Sequence, residues 1–215
     1  LRGEGPWVVR TRSVLDLVGP LRGRQVLDIG CGVWTFAMEL AKQGNDCVGL
    51  DASPNMLRTA SDLARSQRLT RCHFVVGDAA LHPLRPATFD VVIASDIVEH
   101  LLPEPLARMI GACWEALKPG GVLLVHTFPA KYDYFFASWK WWGFVLPVWW
   151  LPTRALLRYV DWLDRRVVPR LRHAHRWVTE RREEPLAHCN CLMRASLEEF
   201  VQRAGFAIRH SRAET

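Results

Sequence analysis

The stretch Val26-Leu27-Asp28-Ile29-Gly30-Cys31-Gly32 decides the fold. Residues 24–29 read as a short apolar run, the pattern of a strand buried on both faces, and the run leads directly into two glycines. Gly30 and Gly32 let the backbone turn tightly and approach a ligand with no side chain in the way. Asp51 stands 21 residues after Gly30, at the end of the next apolar run. A carboxylate there can accept hydrogen bonds from both ribose hydroxyls of an adenosine. A dinucleotide site would need a third glycine at position 35, where the chain has Thr35, and a helix N-terminus open to a pyrophosphate.

Outward from this turn, strand-like and helix-like segments alternate. Helical spacing covers residues 7–18, 35–43, 55–67 and 106–117, and Ser53-Pro54 supplies a cap and a first-turn proline for the third of these. Further apolar strands are expected at 47–50, 73–76, 89–95 and 122–127, the last after Lys118-Pro119-Gly120-Gly121. Such alternation predicts an α/β fold with a doubly wound, mostly parallel sheet covered on both faces. Its ligands bind outside the carboxyl ends of the strands, where strand order reverses. Residues 196–204 then read as a helix and 206–211 as a strand. The expected organisation is a core at 1–130, an insertion at 131–187 and a completing helix and strand at 188–215.

The chain has 215 residues, 49% hydrophobic and 23% charged, which suits one globular domain with an insertion. The net charge of +6 is uneven: residues 1–130 carry 13 basic and 13 acidic side chains, and residues 131–215 carry 15 and 9. Seven of the ten tryptophans lie in the second part. Leu1 to Arg12 contains no apolar core of signal-peptide length, so the expected location is cytoplasmic. Cys31, Cys47, Cys72 and Cys113 are expected as reduced, buried thiols. Cys189 and Cys191 form a lone C-x-C with no second pair to complete a zinc set.

Five segments resemble, in order and spacing, the motifs of class I S-adenosylmethionine (SAM)-dependent methyltransferases: D-I-G-C-G at 28–32, G-L-D-A-S-P-N-M-L at 49–57, V-G-D-A-A-L-H-P-L at 76–84, F-D-V-V-I-A-S-D-I-V-E-H-L at 89–101 and L-K-P-G-G-V-L-L-V at 117–125. The resemblance is nearest to the small-molecule branch that includes the ubiquinone and menaquinone enzymes. It covers about residues 20–128, with a weaker echo at 188–208. It implies a seven-stranded, Rossmann-like sheet, with an insertion after the fifth strand and a last strand that the chain can lack. It implies SAM as cofactor. Asp28, Gly30 and Gly32 would hold its methionine end, Asp51 the ribose, and Met56 the adenine face. Asp78 and the Ala79 backbone would meet the adenine edge, with Ser95 and Asp96 beneath the methionine moiety. One position departs from the family pattern: Trp34 stands where a glycine is expected, adding a ring where helix, strand and cofactor approach.

Methyl transfer from a sulfonium is an in-line displacement, so the protein aligns the acceptor and excludes water. An oxygen acceptor also needs its proton removed. If residues 96–100 begin a helical turn, Asp96, Glu99 and His100 share one face as catalytic candidates. Their spacing is similar to a metal motif of ubiquinone O-methyltransferases and of enzymes that methylate small-RNA 3′ ends. There a later histidine, matched here by His188, completes a divalent-cation site, although Glu99-His100 also occurs in relatives without metal. His126, at the end of the fifth strand, is a further candidate, as a base or as hydrogen-bonded support.

Residues 134–151 are almost wholly apolar and tryptophan-rich, but Lys140 and Pro147 interrupt them and they fall short of the ~20 residues of a spanning helix. Nine arginines follow between Arg154 and Arg182, interleaved with apolar residues. That pattern reads as a basic amphipathic segment on an anionic membrane surface, as a lid over the acceptor, or as both. Nucleic acid is the less favoured partner, because the aromatics precede the arginines instead of alternating with them. The expected function is O-methylation of a hydrophobic or lipid-linked small molecule at the membrane face. The alternatives are a soluble natural-product or RNA methyltransferase, and a non-catalytic SAM-fold binding domain.

Overall fold

The computed structural model describes residues 15, 19–33, 36–81, 84–127, 152, 155, 156, 158, 159, 162 and 194–211. Trp34, His188, Cys189 and Cys191 lie outside them. So do most of the 131–187 insertion and, apart from Leu15, the helix expected at 7–18.

Five strands form one parallel sheet: β1 (Gln25–Ile29), β2 (Asp46–Asp51), β3 (Cys72–Val76), β4 (Phe89–Ser95) and β5 (Leu117–His126), in the order β3-β2-β1-β4-β5. The order reverses between β1 and β4, which places the switch point at the glycine turn, as the sequence predicts. Side chains alternate along each strand and so feed two cores. Val26, Cys47, Cys72, Val91 and Ile93 face one layer, with helix α1 (Phe36–Lys42) and Ala64 of helix α2 (Pro54–Ser66). Leu27, Ile29, Leu50, Val92 and Ala94 face the other, with helix α3 (Pro103–Ala116) and, partly buried, α4 (Arg194–Arg203). Leu27, Ile29 and Leu50 are at most 1% exposed. Each contributes about 1.5–3 kcal/mol by leaving water.

Local chemistry fixes the element ends. Ser53 Oγ accepts from the Met56 N–H and caps α2, with Pro54 at its first position. Asn45 is fully buried with all its bonds made: its Oδ1 accepts from Arg24 N–H and its Nδ2 donates to Leu21 and Leu40 carbonyls. It ties the entry of β1 to the turn before β2.

Three elements differ from expectation. α3 starts at Pro103, not 106, because proline's fixed φ suits a first helical position. β5 starts at Leu117: Phe89 pairs with Leu117 and Val91 with Val122, so Lys118–Gly121 loop out of the ladder without ending it. Gly121 is required there, since a Cβ would lie 2.9 Å from both Leu117 Cδ2 and the Lys118 carbonyl. Residues 206–211 form no strand, and only Phe206 and Ala204 beside it pack inward; the run from Ala207 to Ser211 is exposed, with polar residues at three of its five positions.

Candidate active site

The carboxyl ends of the strands carry the site. Gly30 and Gly32 both adopt left-handed backbone, at φ +68° and +60°. The Gly30 and Cys31 N–H groups donate to the Leu50 carbonyl at 2.8 and 3.1 Å, which binds the turn to the end of β2. Space above Gly30 is filled by Ile97: a Cβ there would sit 2.7 Å from Ile97 Cδ1 and 3.0 Å from its Cβ. Among the described residues, only Met56 Sδ comes within 4 Å of a Cβ built on Gly32.

Asp51 joins the two halves of this cradle. Its Oδ2 accepts from Gly32 N–H and its Oδ1 from Ser53 N–H, both at 2.8 Å. A carboxylate offers about four lone-pair positions, so two remain for a diol. Met56, in the first turn of α2, is 42% exposed, large for an apolar residue, and lies beside the turn. After β3, Gly77 N–H donates to the Asp51 carbonyl, and Asp78 Oδ1 accepts from Ala80 N–H at 2.7 Å. Asp78 is exposed and Ala79 is 9% exposed. All the residues that the resemblance assigns to SAM's adenosine thus stand on one edge of the sheet.

Asp28 is different. It is 2% exposed and its Oδ2 accepts from Ala37 N–H at 3.0 Å, so it caps the start of α1. Burial pushes its carboxyl up to about 7, the Ala37 and Phe36 N–H groups pull it back, and the Asp51 charge adds to the rise. The folded chain therefore holds this proton to about pH 7, while the unfolded chain releases it near ~4. Across that window the folded state binds more protons, so stability falls as pH rises. The melting temperature of the ligand-free protein is expected to carry a falling contribution from Asp28 between about pH 4 and pH 7, and Asp28→Asn to remove it. A melting series in overlapping buffers checks it.

At the end of β4, Asp96 adopts φ +55° and stands outside the helical turn. The chain then makes a single 3₁₀ turn, Val98–His100. The shared helical face expected for Asp96, Glu99 and His100 is therefore not formed: Glu99 is 1% exposed and His100 is exposed. Burial raises the Glu99 carboxyl, the Thr127 hydrogen bond at 2.9 Å opposes this, and the charges of Asp96 and His100 act in opposite senses. Among the described residues no three His, Cys, Asp or Glu side chains group as metal ligands, and His188 lies outside them.

Sequence reasoning missed two contacts here. Asp96 Oδ1 lies 2.9 Å from His126 Nδ1, and Thr127 Oγ1 donates to Glu99 Oε2. Neither has a local signal, because each joins residues 28 to 30 positions apart. The four cysteines expected as reduced are free and buried. Burial raises all four thiols, Cys72 to about 11 and Cys47 and Cys113 to about 12, which keeps them protonated near neutrality. Among the described residues no helix is long and apolar enough to cross a membrane.

Residues 26–121 match the family described as a methyltransferase domain. The ubiquinone biosynthesis O-methyltransferase of Methylococcus capsulatus is 37% identical over 107 residues, which are 50% of this chain and 44% of that one. The chain spans about half the length of the curated relatives it matches. Among solved structures, a Haemonchus contortus phosphoethanolamine N-methyltransferase bound to S-adenosylhomocysteine superposes at a TM-score of 0.60, with 20% identity, over 92% of this chain and 37% of that one. That likeness is one of fold. The [4+2]-cyclase SpnF is 30% identical at a TM-score of 0.50, over 58% of this chain and 46% of that one. With the parallel sheet, the paired positive-φ glycines and the aspartate that ties them to α2, residues 26–121 resemble the domain of class I SAM-dependent methyltransferases, the ubiquinone O-methyltransferases among them.

Proposed function

We propose that this chain transfers the methyl group of SAM to an oxygen of a hydrophobic or lipid-linked small molecule at a membrane face. The observation that carries the reading is the Asp51 carboxylate, held by Gly32 and Ser53 with acceptor capacity left for a ribose diol. The described residues fit the cofactor: they leave the space over Gly32 uncrowded, Met56 stands beside it, and Asp78 is exposed at the edge. When bound, SAM supplies a methyl group on a positively charged sulfur. In this reading Asp51 orients the ribose, Met56 covers the adenine, and Asp78 with the Ala79 backbone meets the adenine edge. Asp28, Gly30, Gly32 and Ser95 shape the methionine end. Of the residues after β4, Asp96 and His100 are accessible to an acceptor, and Glu99, buried and bonded by Thr127, supports the turn.

The oxygen acceptor is supported by the names of the curated relatives. The membrane face is supported by the tryptophan-rich run at 134–151 and by the arginines after it. Trp162 is 53% exposed and stacks on Tyr159 at 6.0 Å, beside an exposed Arg158. A cytoplasmic protein of this kind would work at the inner membrane surface, where anionic headgroups attract arginine. The SpnF likeness favours a second reading, a cyclisation or other reaction on the same domain.

Calorimetry with SAM and with S-adenosylhomocysteine tests the cofactor, and failure to bind either overturns the proposal. Labelled SAM with lipid and polar extracts then distinguishes methyl transfer from the second reading. Flotation with phosphatidylcholine vesicles, with and without phosphatidylglycerol, tests the membrane. Binding is expected only with the anionic lipid, and a protein that stays in solution with both loses the membrane part.

A further inference from the structure

We propose that His126, held by Asp96, takes the proton from the acceptor hydroxyl. This inference rests on the O-methyltransferase reading. Ser95 and His126 are register partners at the carboxyl ends of β4 and β5. The next residue, Asp96, bends back over that pair. Its N–H donates to the His126 carbonyl at 3.0 Å, and its Oδ1 meets His126 Nδ1 at 2.9 Å. Ser95 Oγ lies 3.4 Å from Asp96 Oδ2 and 3.5 Å from His126 Nδ1. Asp96 makes these contacts at φ +55°, a left-handed conformation uncommon for a non-glycine residue, which recurs where a site needs a fixed geometry.

The pairing sets the direction of the imidazole. A carboxylate only accepts, so Nδ1 carries the proton and Nε2, across the ring, carries the lone pair. An aspartate that orients a histidine and balances its charge once protonated is the arrangement of a general base. Both side chains remain partly open, 13% exposed for His126 and 28% for Asp96. Among the described residues, the other charged groups nearby are those of the 3₁₀ turn: Glu99, buried and bonded by Thr127, and His100, exposed at the rim. Asp96 is the carboxylate in hydrogen-bond reach of the ring, whereas the Glu99 carboxyl is bonded by Thr127.

In the transfer step the acceptor O–H proton passes to Nε2 while the acceptor oxygen forms a bond to the methyl carbon. The methyl–sulfur bond breaks and its electron pair stays on sulfur. The imidazolium, neutralised by Asp96, then gives its proton to water.

His126→Asn in the full chain is the informative variant, because its amide still donates toward Asp96 while the second ring nitrogen is gone. Calorimetric SAM affinity is expected to stay within about twofold, whereas methyl transfer to a simple catechol, 3,4-dihydroxybenzoate, falls about 10²–10⁴-fold. The acidic limb of the pH–rate profile should vanish with the ring. An independent readout needs no turnover: ¹⁵N resonances of His126 in the free protein should show the Nδ1-protonated tautomer, and Asp96→Asn should shift it. A wild-type Nε2–H tautomer overturns the proposal, as does a variant rate within about threefold of wild type. Activity abolished by chelators and restored by Mg²⁺ would overturn it too, by assigning Asp96 to a cation. Failure of wild type to bind SAM, or binding with no transfer to the catechol or to any component of the lipid and polar extracts, instead overturns the O-methyltransferase reading and leaves the tautomer result standing.

Discussion

Gly30→Ala is expected to abolish measurable SAM binding and to lower the melting temperature by roughly 5–15 °C. Two costs add. The first is conformational, because alanine at φ +68° is strained. The second is steric, because the new methyl would meet three atoms of Ile97 at 2.7 to 3.1 Å. Ile97 packs against the core cluster of Leu27, Ile29 and Val98, so it cannot simply swing away. Together these come to about 2–4 kcal/mol. Ile97→Ala in the same chain removes the Cδ1 and Cγ1 contacts but keeps Ile97's Cβ position 3.0 Å away and leaves the strain, so the double variant should recover only a minor part of the lost stability. SAM binding is not expected to return, because a methyl group would still stand at the turn. Thermal melts and calorimetry on the three variants check this. A double variant no more stable than expected from adding the two single variants would mean that the Cδ1 and Cγ1 contacts add nothing to the cost.

Asp51→Ala carries the second large effect. It removes the acceptor of Gly32 N–H and of Ser53 N–H, and with them the tie between the glycine turn and α2. It also removes the two remaining acceptor positions proposed for the ribose. Hydrogen bonds to a charged group contribute about 1.5–3 kcal/mol each, so SAM affinity should fall by more than about a hundredfold. Asp51→Asn keeps one carbonyl oxygen and should lose only about tenfold. Comparing SAM with adenosine locates the loss: if Asp51 holds the ribose, both ligands weaken by the same factor. An adenosine affinity unchanged in Asp51→Ala would remove the ribose role.

Features close together in sequence were legible from it, and features assembled from distant residues were not. The glycine turn, Asp51 at a strand end, Ser53-Pro54 before a helix and the alternation of elements are local signals, and each stands where expected. The contents of the site between β4 and β5 are not local. Which residue faces Ser95 depends on how many residues Lys118–Gly121 remove from the ladder, and that count is set by the packing of Gly121 against Leu117 and Asp90. The helical reading of residues 96–100 failed at one dihedral: Asp96 turns to positive φ and leaves Glu99 and His100 on different sides of a short turn. A pattern of i, i+3 and i+4 spacing carries no information about that.

Asp90 shows the same nonlocality at the other end of the sheet. Its Oδ2 accepts from Gln25 N–H and from Lys118 Nζ, both at 2.9 Å, with Arg24 3.5 Å from its Oδ1. Although partial burial works against ionisation, these partners hold its carboxyl below the ordinary range. Its contribution is present above about pH 4 and is lost as the pH falls through the lowered value, opposite in sense to Asp28.

The strand order also dictates when the sheet can close. β1 is the central strand, yet one of its partners, β2, follows within a few turns of chain, while the other, β4, arrives some 65 residues later. During synthesis there is an interval in which β1, β2 and β3 have emerged and β4 has not. Throughout it the edge of β1 offers unpaired N–H and C=O groups beside Val26, Leu27 and Ile29, residues that are almost wholly buried in the finished protein. A nascent chain stalled between residues 76 and 89 thus presents an adhesive apolar edge, and the arrival of residues 89–95 is the event that makes the growing polypeptide safe from its neighbours.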